Sequence, residues 1–125
     1  MKRYLIIAGL GSYLMLAAAD AQAHHAFAAM YDAQKAVKLR GTVAKVEWIN
    51  PHSWIHIDVK RNDGKVETWI IEAANPATLL ERGYSKDSLK VGTEVSVDGY
   101  QAKDGSLHVH GRELAINNGP PLFLG

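Results

Sequence analysis

Apolar and polar residues alternate along several short segments of this chain, and this pattern restricts the fold more than any other feature. The clearest segment is Ser53–Val59. Its aliphatic side chains fall on one face and its other side chains on the opposite face: Ile55, Ile57 and Val59 against Trp54, His56 and Asp58. A period of two residues is that of a β-strand with one buried face. The segment therefore predicts a strand whose aliphatic face enters the core.

Turn residues join the alternating segments into two hairpins. Asn62-Asp63-Gly64 connects the strand above to a second run at 65–72, and Lys103-Asp104-Gly105 connects the run 93–100 to the run 106–116. Asp-Gly between two alternating runs is a strong hairpin signal. A further strand is predicted before the first hairpin. The periodicity changes at Val37, and the segment Gly41–Ile49 predicts a long strand, with Gly41 as a candidate bend. Asn50-Pro51 ends this strand because proline has no N–H for the ladder.

One short helix is predicted between the two hairpins. Asn75 is a suitable N-cap, Pro76 suits the first helical position, and Gly83 suits the C-terminal exit. The order of elements is therefore three strands, a short helix and two strands. This order predicts a mostly β fold, a small five-stranded OB-like barrel with the helix between strands three and four. A plain antiparallel sheet capped by the helix is the alternative.

The N-terminus has the order of a cleavable signal peptide. Lys2-Arg3 precedes an apolar run at 4–19, and Ala21-Gln22-Ala23 offers the small residues of a cleavage site. The alternative is a retained anchor, but the apolar run is shorter than the roughly 20 residues that span a bilayer, and Asp20 interrupts its end. We therefore predict a signal peptide at residues 1–23, a mature protein in the periplasm or outside the cell, and no membrane span after cleavage.

The remaining chain divides into an extended N-terminal arm at residues 24–36 and a β domain at residues 37–125. Cleavage removes two of the 14 basic and one of the 13 acidic side chains, so that the charges of the mature chain balance. This balance argues against a nucleic-acid binder, which needs a basic excess to meet the phosphate backbone. The absence of cysteine excludes disulfides, thiol chemistry and thiolate metal sites.

The six histidines all follow the predicted cleavage site, and they suggest a metal site. Cleavage after Ala23 would give His24 a free amine beside its imidazole, and these two nitrogens suit copper, which heads the affinity order of divalent first-row metals. His25 and His52 are candidate further ligands, as are His108 and His110, which share one face of a strand. The alternative for His108 and His110 is a solvated or hydrogen-bonded pair without metal.

The turn between the first two strands is the densest candidate binding region. Its candidate residues are polar or aromatic: Trp48, Asn50, His52, Trp54 and the neighbouring His56. Such groups on a loop held by rigid strands often mark binding. We expect Trp54, His56 and the strand histidines on one outer surface, with Trp69 of the intervening strand joining them. The alternative is structural, since Asn50-Pro51 already makes a turn that His52 could fix.

Enzymatic motifs are missing from the sequence. It contains no Gly-x-Ser-x-Gly elbow, no Gly-rich phosphate loop and no His-Glu-x-x-His helix. Its acidic residues alternate with apolar ones on the predicted strands, which is typical of solvent faces. We therefore predict a protein that is not an enzyme.

Several motifs together resemble a known family. They are His-His-Ala-Phe-Ala at 24–28, the run from Gly41 to Trp54 that ends in Trp-Ile-Asn-Pro-His-Ser-Trp, Asp-Gly-Lys-Val at 63–66, Asn75-Pro76, Leu79-Leu80, Arg82-Gly83 and Val-Asp-Gly-Tyr at 97–100. The chain is similar to short exported bacterial proteins of family 6152 of domains of unknown function. The resemblance implies an exported OB-like domain with His-His at the mature start, and no established activity. It does not extend to His108 and His110.

Two functions are compatible with these features. The first is an exported, non-enzymatic binding module that holds a transition metal, copper above all, through His24 and further histidines. The second is an interaction domain that docks a protein or a small ligand through the region from Trp48 to Trp54. The distance from His24 to other histidines, and the presence of an open groove at the turn, would discriminate between them.

Overall fold

A computed structural model describes residues 22–125 of the chain. The described residues belong to two compact units, which divide between Met30 and Tyr31. The predicted signal peptide lies outside the described residues except for positions 22 and 23. In the first unit, residues 22–30 are helical.

The second unit contains six strands and one helix. They are β1 (Tyr31–Glu47), β2 (Ser53–Lys60), β3 (Val66–Ala73), α1 (Pro76–Glu81), β4 (Glu94–Ala102), β5 (His108–Ile116) and β6 (Pro121–Phe123). Asn75 caps α1 by accepting a hydrogen bond from the Thr78 N–H at 2.9 Å. The helix thus begins at the residues that the sequence indicates.

Five of the strands close into a ring. β3, β2, β1, β4 and β5 pair with one another in this order, each antiparallel to the next, and a parallel pairing between β3 and β5 completes the circle. The short β6 pairs with the C-terminal half of β5. The prediction of a mostly β, five-stranded OB-like barrel with a short helix between strands three and four is therefore confirmed.

The predicted extended arm at 24–36 is wrong in two respects. Residues 22–30 are helical, in keeping with the high helix propensity of their alanines. The first strand begins at Tyr31, inside the predicted arm, because residues 31–36 continue the pairing with β4 across a register shift, with Tyr31 opposite Ala102 and Ala36 opposite Tyr100. Tyr31 is buried.

The core of the barrel follows the predicted faces of β2. Ile55 and Ile57 are fully buried, Val59 packs against the core from its edge, and Trp54 and His56 face outward. Trp69 does not join the outer surface as predicted. It lies opposite Ile57 in the pairing of β2 with β3 and is only 8% exposed, so that its ring fills the core.

Candidate functional site

The closed ring places outward side chains of three strands in one row. In the register of the barrel, Glu72 on β3 lies directly opposite Trp54 on β2 and His110 on β5. Their chain neighbours Ile55, Ile71 and Val109 are fully buried. Because successive residues of a strand face opposite sides, the row lies on the outside of the barrel.

Glu72 is the centre of this row. Its side chain is only 12% exposed, and its Oε2 accepts a hydrogen bond from the Tyr31 hydroxyl. Burial raises the pKa of Tyr31 above its ordinary value, and the hydrogen bond to Glu72 and the negative charge of that group raise it further. Tyr31 therefore stays protonated and remains a donor to the carboxylate.

His110 lies beside both Tyr31 and Glu72. Its ring centroid is 5.3 Å from that of Tyr31, with the two planes tilted by 54°. Burial lowers the pKa of His110 most strongly; the charge of Glu72 opposes this shift and His52 adds to it. His110 is therefore a neutral imidazole at neutral pH, with one nitrogen that carries a proton and one that can accept a hydrogen bond.

His52 approaches the same carboxylate from the turn. Its Nδ1 is 3.5 Å from Oε1 of Glu72, and about half of its side chain is exposed. The turn contains a cis Asn50–Pro51 bond. Ser53, which follows His52, anchors the turn, because it is buried and its N–H donates to the Ala74 carbonyl at 3.1 Å. Tyr31, His52, Glu72 and His110 form a group that we call the Glu72 cluster.

A pocket opens beside the Glu72 cluster. Its cavity volume is about 310 Å³, and it is lined by Pro51, His52, Glu72, Ala73, Ala74, Asn75, His110, Gly111, Leu124 and Gly125. Leu124 is fully buried, and backbone hydrogen bonds hold its segment against Ala74 and Arg112. The Glu72 pocket thus has a polar side, made by a carboxylate and two imidazoles, and an apolar side.

The other residues predicted around the turn do not line this pocket. Trp48 packs against the core and Asn50 is exposed. Trp54 is half-buried beside Glu72 in the outer row. The His56 Nε2 lies 2.9 Å from Oε2 of Glu47, and this hydrogen bond, followed by that of Lys45, lowers the pKa of Glu47.

Within Tyr31–Gly125, two of the predicted metal ligands, His52 and His110, line the Glu72 pocket, and His108 does not. His108 lies opposite Ile70, so that this aliphatic residue stands between His108 and His56 of β2. His24 and His25 are exposed in the helical segment of the first unit. Among residues 22–125, no group of three or more His, Cys, Asp or Glu side chains is arranged to hold a metal ion. None of the helices in this range is long and apolar enough to cross a membrane.

Sequence reasoning missed two members of the Glu72 cluster. The sequence places Tyr31 in the N-terminal arm and gives Glu72 the pattern of an acidic residue on a solvent face. Glu72 stands between Ile71 and Ala73, both buried, as an acidic residue on a solvent face would, so its own segment gives no signal for a site. Its partners are distant in the chain, because the pairing of β3 with β5 brings His110 to it.

Comparison with known proteins identifies the family of the chain. Residues 12–111 match a family of unknown function, DUF6152. The chain belongs to this family. The matched residues of this DUF6152 member include the whole Glu72 cluster, from Tyr31 to His110. No curated protein and no solved structure matches the chain.

Proposed function

We propose that this DUF6152 member is an exported, non-enzymatic binding module that takes a small ligand into the Glu72 pocket. The observation that carries the proposal is the pocket itself, in which one carboxylate and two imidazoles face an apolar wall within about 310 Å³. Ligand sites typically combine a mainly apolar cavity of about 300 to 1,000 Å³ with a few convergent polar groups. The size of the Glu72 pocket suits a ligand at the small end of that range.

The polar groups of the pocket are held rigidly by the barrel, which favours binding. Glu72 and His110 stand on paired strands of a closed barrel, and the Tyr31 hydroxyl holds the carboxylate in place. Such rigid supports reduce the ordering that a ligand must impose when it binds. His52 comes from the turn between Trp48 and Trp54, so that the proposal keeps the turn as part of the binding region.

Filling the pocket should abolish ligand binding. We expect Ala74→Phe, which places a ring against the apolar wall, to remove the amide chemical-shift changes that small-molecule fragments cause at Ala73, Glu72 and His110. The matched control is Ala77→Phe, because Ala77 is exposed on α1 and does not line the pocket. The measurement is a fragment screen by two-dimensional NMR of the folded protein. Fragments that bind elsewhere, or that bind Ala74→Phe as well as the parent, would contradict the proposal.

Export is the part of the proposal that the N-terminus supports. The basic pair Lys2-Arg3, the apolar run and Ala21-Gln22-Ala23 have the composition that signal peptidase requires. We expect the protein recovered from the periplasm or the medium to begin at His24. Intact mass spectrometry measures this directly. A product that still carries Met1, or that begins well past His25, would contradict the prediction.

Copper binding at the mature N-terminus is a second candidate function. It is favoured by the exposure of the adjacent His24 and His25 side chains, which leaves both accessible to a metal ion. After cleavage, His24 would add its α-amine to its imidazole, and two nitrogen donors on one residue suit copper. This function needs neither the Glu72 pocket nor the strand histidines, so the two candidate functions are testable separately.

A further inference from the structure

We infer that the ligand of the Glu72 pocket is a small organic cation, an ammonium group on a short apolar body. This inference rests on the proposed function of the pocket and goes one step beyond it, because it names the chemical class of the ligand. It is carried by the charge of the lining residues, by the hydrogen-bonding capacity of Glu72 and by the shape of the cavity.

The residues that line the pocket, all within the described part of the chain, include one carboxylate side chain, that of Glu72, and no Lys or Arg. Arg112 follows the lining residue Gly111, but its guanidinium lies over the Tyr100 ring at 5.9 Å from the centroid. A carboxylate shielded from water attracts a cation more strongly than an exposed one, because the local dielectric is lower.

Glu72 retains hydrogen-bonding capacity for a ligand. A carboxylate has about four lone-pair positions on its two oxygens. The Tyr31 hydroxyl occupies one on Oε2, and the His52 ring approaches Oε1 at the long distance of 3.5 Å. An ammonium carries three donors and no acceptor, which complements this carboxylate. The neutral imidazole of His110 adds no positive charge that would repel the ligand.

The other ligand classes fit the pocket less well. An anion would meet the carboxylate without a Lys or Arg side chain to balance it, and juxtaposed like charges cost binding free energy. A metal ion needs several donors within about 2.3 Å of one point, and among residues 22–125 no three His, Cys, Asp or Glu side chains, those of the pocket included, are arranged in this way. The cavity is also much larger than a single ion.

The apolar side of the pocket determines the chemistry of the rest of the ligand. Ala73 and Leu124 are buried wall residues, and Gly111 packs so closely on Leu124 and Ile71 that a side chain at position 111 would collide with them. A short hydrocarbon or a single ring against this wall would be removed from water, which is favourable in proportion to the apolar area that is buried. The ammonium would then face Glu72.

Three probes of equal size and different charge test the inference. Benzylamine, benzyl alcohol and benzoate are titrated into the protein at neutral pH, and Kd is measured from amide shifts of Ala73, Ala74 and Gly111. We expect benzylamine to bind about tenfold more tightly than benzyl alcohol or better, as a charge-assisted hydrogen bond exceeds a neutral one. Benzoate should bind more weakly than the alcohol.

A pair of matched variants separates the charge from the cavity. Glu72→Gln keeps the shape of the side chain and an acceptor for Tyr31, so it should bring the affinities for benzylamine and benzyl alcohol to within about twofold of each other. Glu47→Gln is the control, because Glu47 is an acidic residue of β1 that pairs with His56 outside the pocket. It should leave the preference for the amine unchanged. Circular dichroism of both variants checks that the barrel is folded.

The outcomes distinguish the inference from the proposed function. If the alcohol or benzoate binds the pocket as well as the amine does, the pocket is a ligand site but the inferred ligand class is wrong. If Glu72→Gln keeps the preference for the amine, another group recognises the charge and the inference also fails. If none of the three probes shifts the pocket amides, while Zn²⁺ shifts those of His52 and His110, the site is a metal site. If neither the probes nor Zn²⁺ affects these amides, the proposed function itself is contradicted.

Discussion

Replacing Ile57 by alanine should lower the free energy of unfolding by about 2 to 5 kcal/mol, the usual cost of truncating a packed core residue. Ile57 is fully buried, and it lies opposite Val43 on β1 and Trp69 on β3, both of which belong to the core. Backbone hydrogen bonds to a strand on each side hinder β2 from moving inward, so that most of the cavity should persist. Urea unfolding followed by tryptophan fluorescence measures the change.

Val66→Ala is the matched control for this experiment. Val66 belongs to the same hairpin, at the start of β3, but it is 62% exposed. An exposed substitution away from special contacts changes stability by no more than about 0.5 kcal/mol. A loss well under 1 kcal/mol for Ile57→Ala, similar to that of the control, would show that the assigned register of β2 is wrong.

The features that sequence predicted correctly depend on local patterns. The alternation of Ile55 and Ile57 fixes which face of β2 is buried, and Asn75-Pro76 fixes the start of α1, because the nearest neighbours in the chain determine these features. The order of the elements was then sufficient to indicate a five-stranded ring. Trp69 was placed on the wrong face since its own segment does not alternate cleanly, with Trp69, Ile70 and Ile71 in succession.

The candidate site was only partly predictable, because its residues meet through long-range pairing. His52 and His110 were candidates from the sequence, but nothing local joins them to Glu72 or to each other. The parallel pairing of β3 with β5 sets His110 opposite Glu72, and the early start of β1 brings Tyr31 over them. The largely shielded carboxylate of Glu72 has the same sequence pattern as an acidic residue on a solvent face. The donor that holds it, the Tyr31 hydroxyl, is 41 positions away in the chain.

The copper hypothesis depends on one covalent event, which is the cleavage of the signal peptide after Ala23. Before cleavage, the nitrogen of His24 is an amide and cannot serve as an amine ligand. Once the chain is cleaved, the amine and the imidazole of His24 close a small chelate without ordering a loop. Separate strand histidines, in contrast, must be brought together by the fold. A terminal amine typically titrates near pH 8, so a metal can displace its proton at neutral pH.

Blocking the α-amine should therefore weaken copper binding by about tenfold or more, while replacing the histidines of the β domain should have little effect. We would titrate copper(II) into the mature protein, into mature protein selectively acetylated at the α-amine, and into the mature variants His52→Ala and His108→Ala. The acetylated protein should lose affinity most, and the mature protein should bind one copper ion. His108→Ala should bind as the parent does, because His108 is on β5 and shares no three-ligand group within residues 22–125.

Protons compete for amine and imidazole nitrogens, so the copper affinity should also fall as the pH drops below about 6. Equal affinity with and without acetylation would exclude the terminal-amine site, and a large loss in His52→Ala would instead assign the copper to the Glu72 pocket.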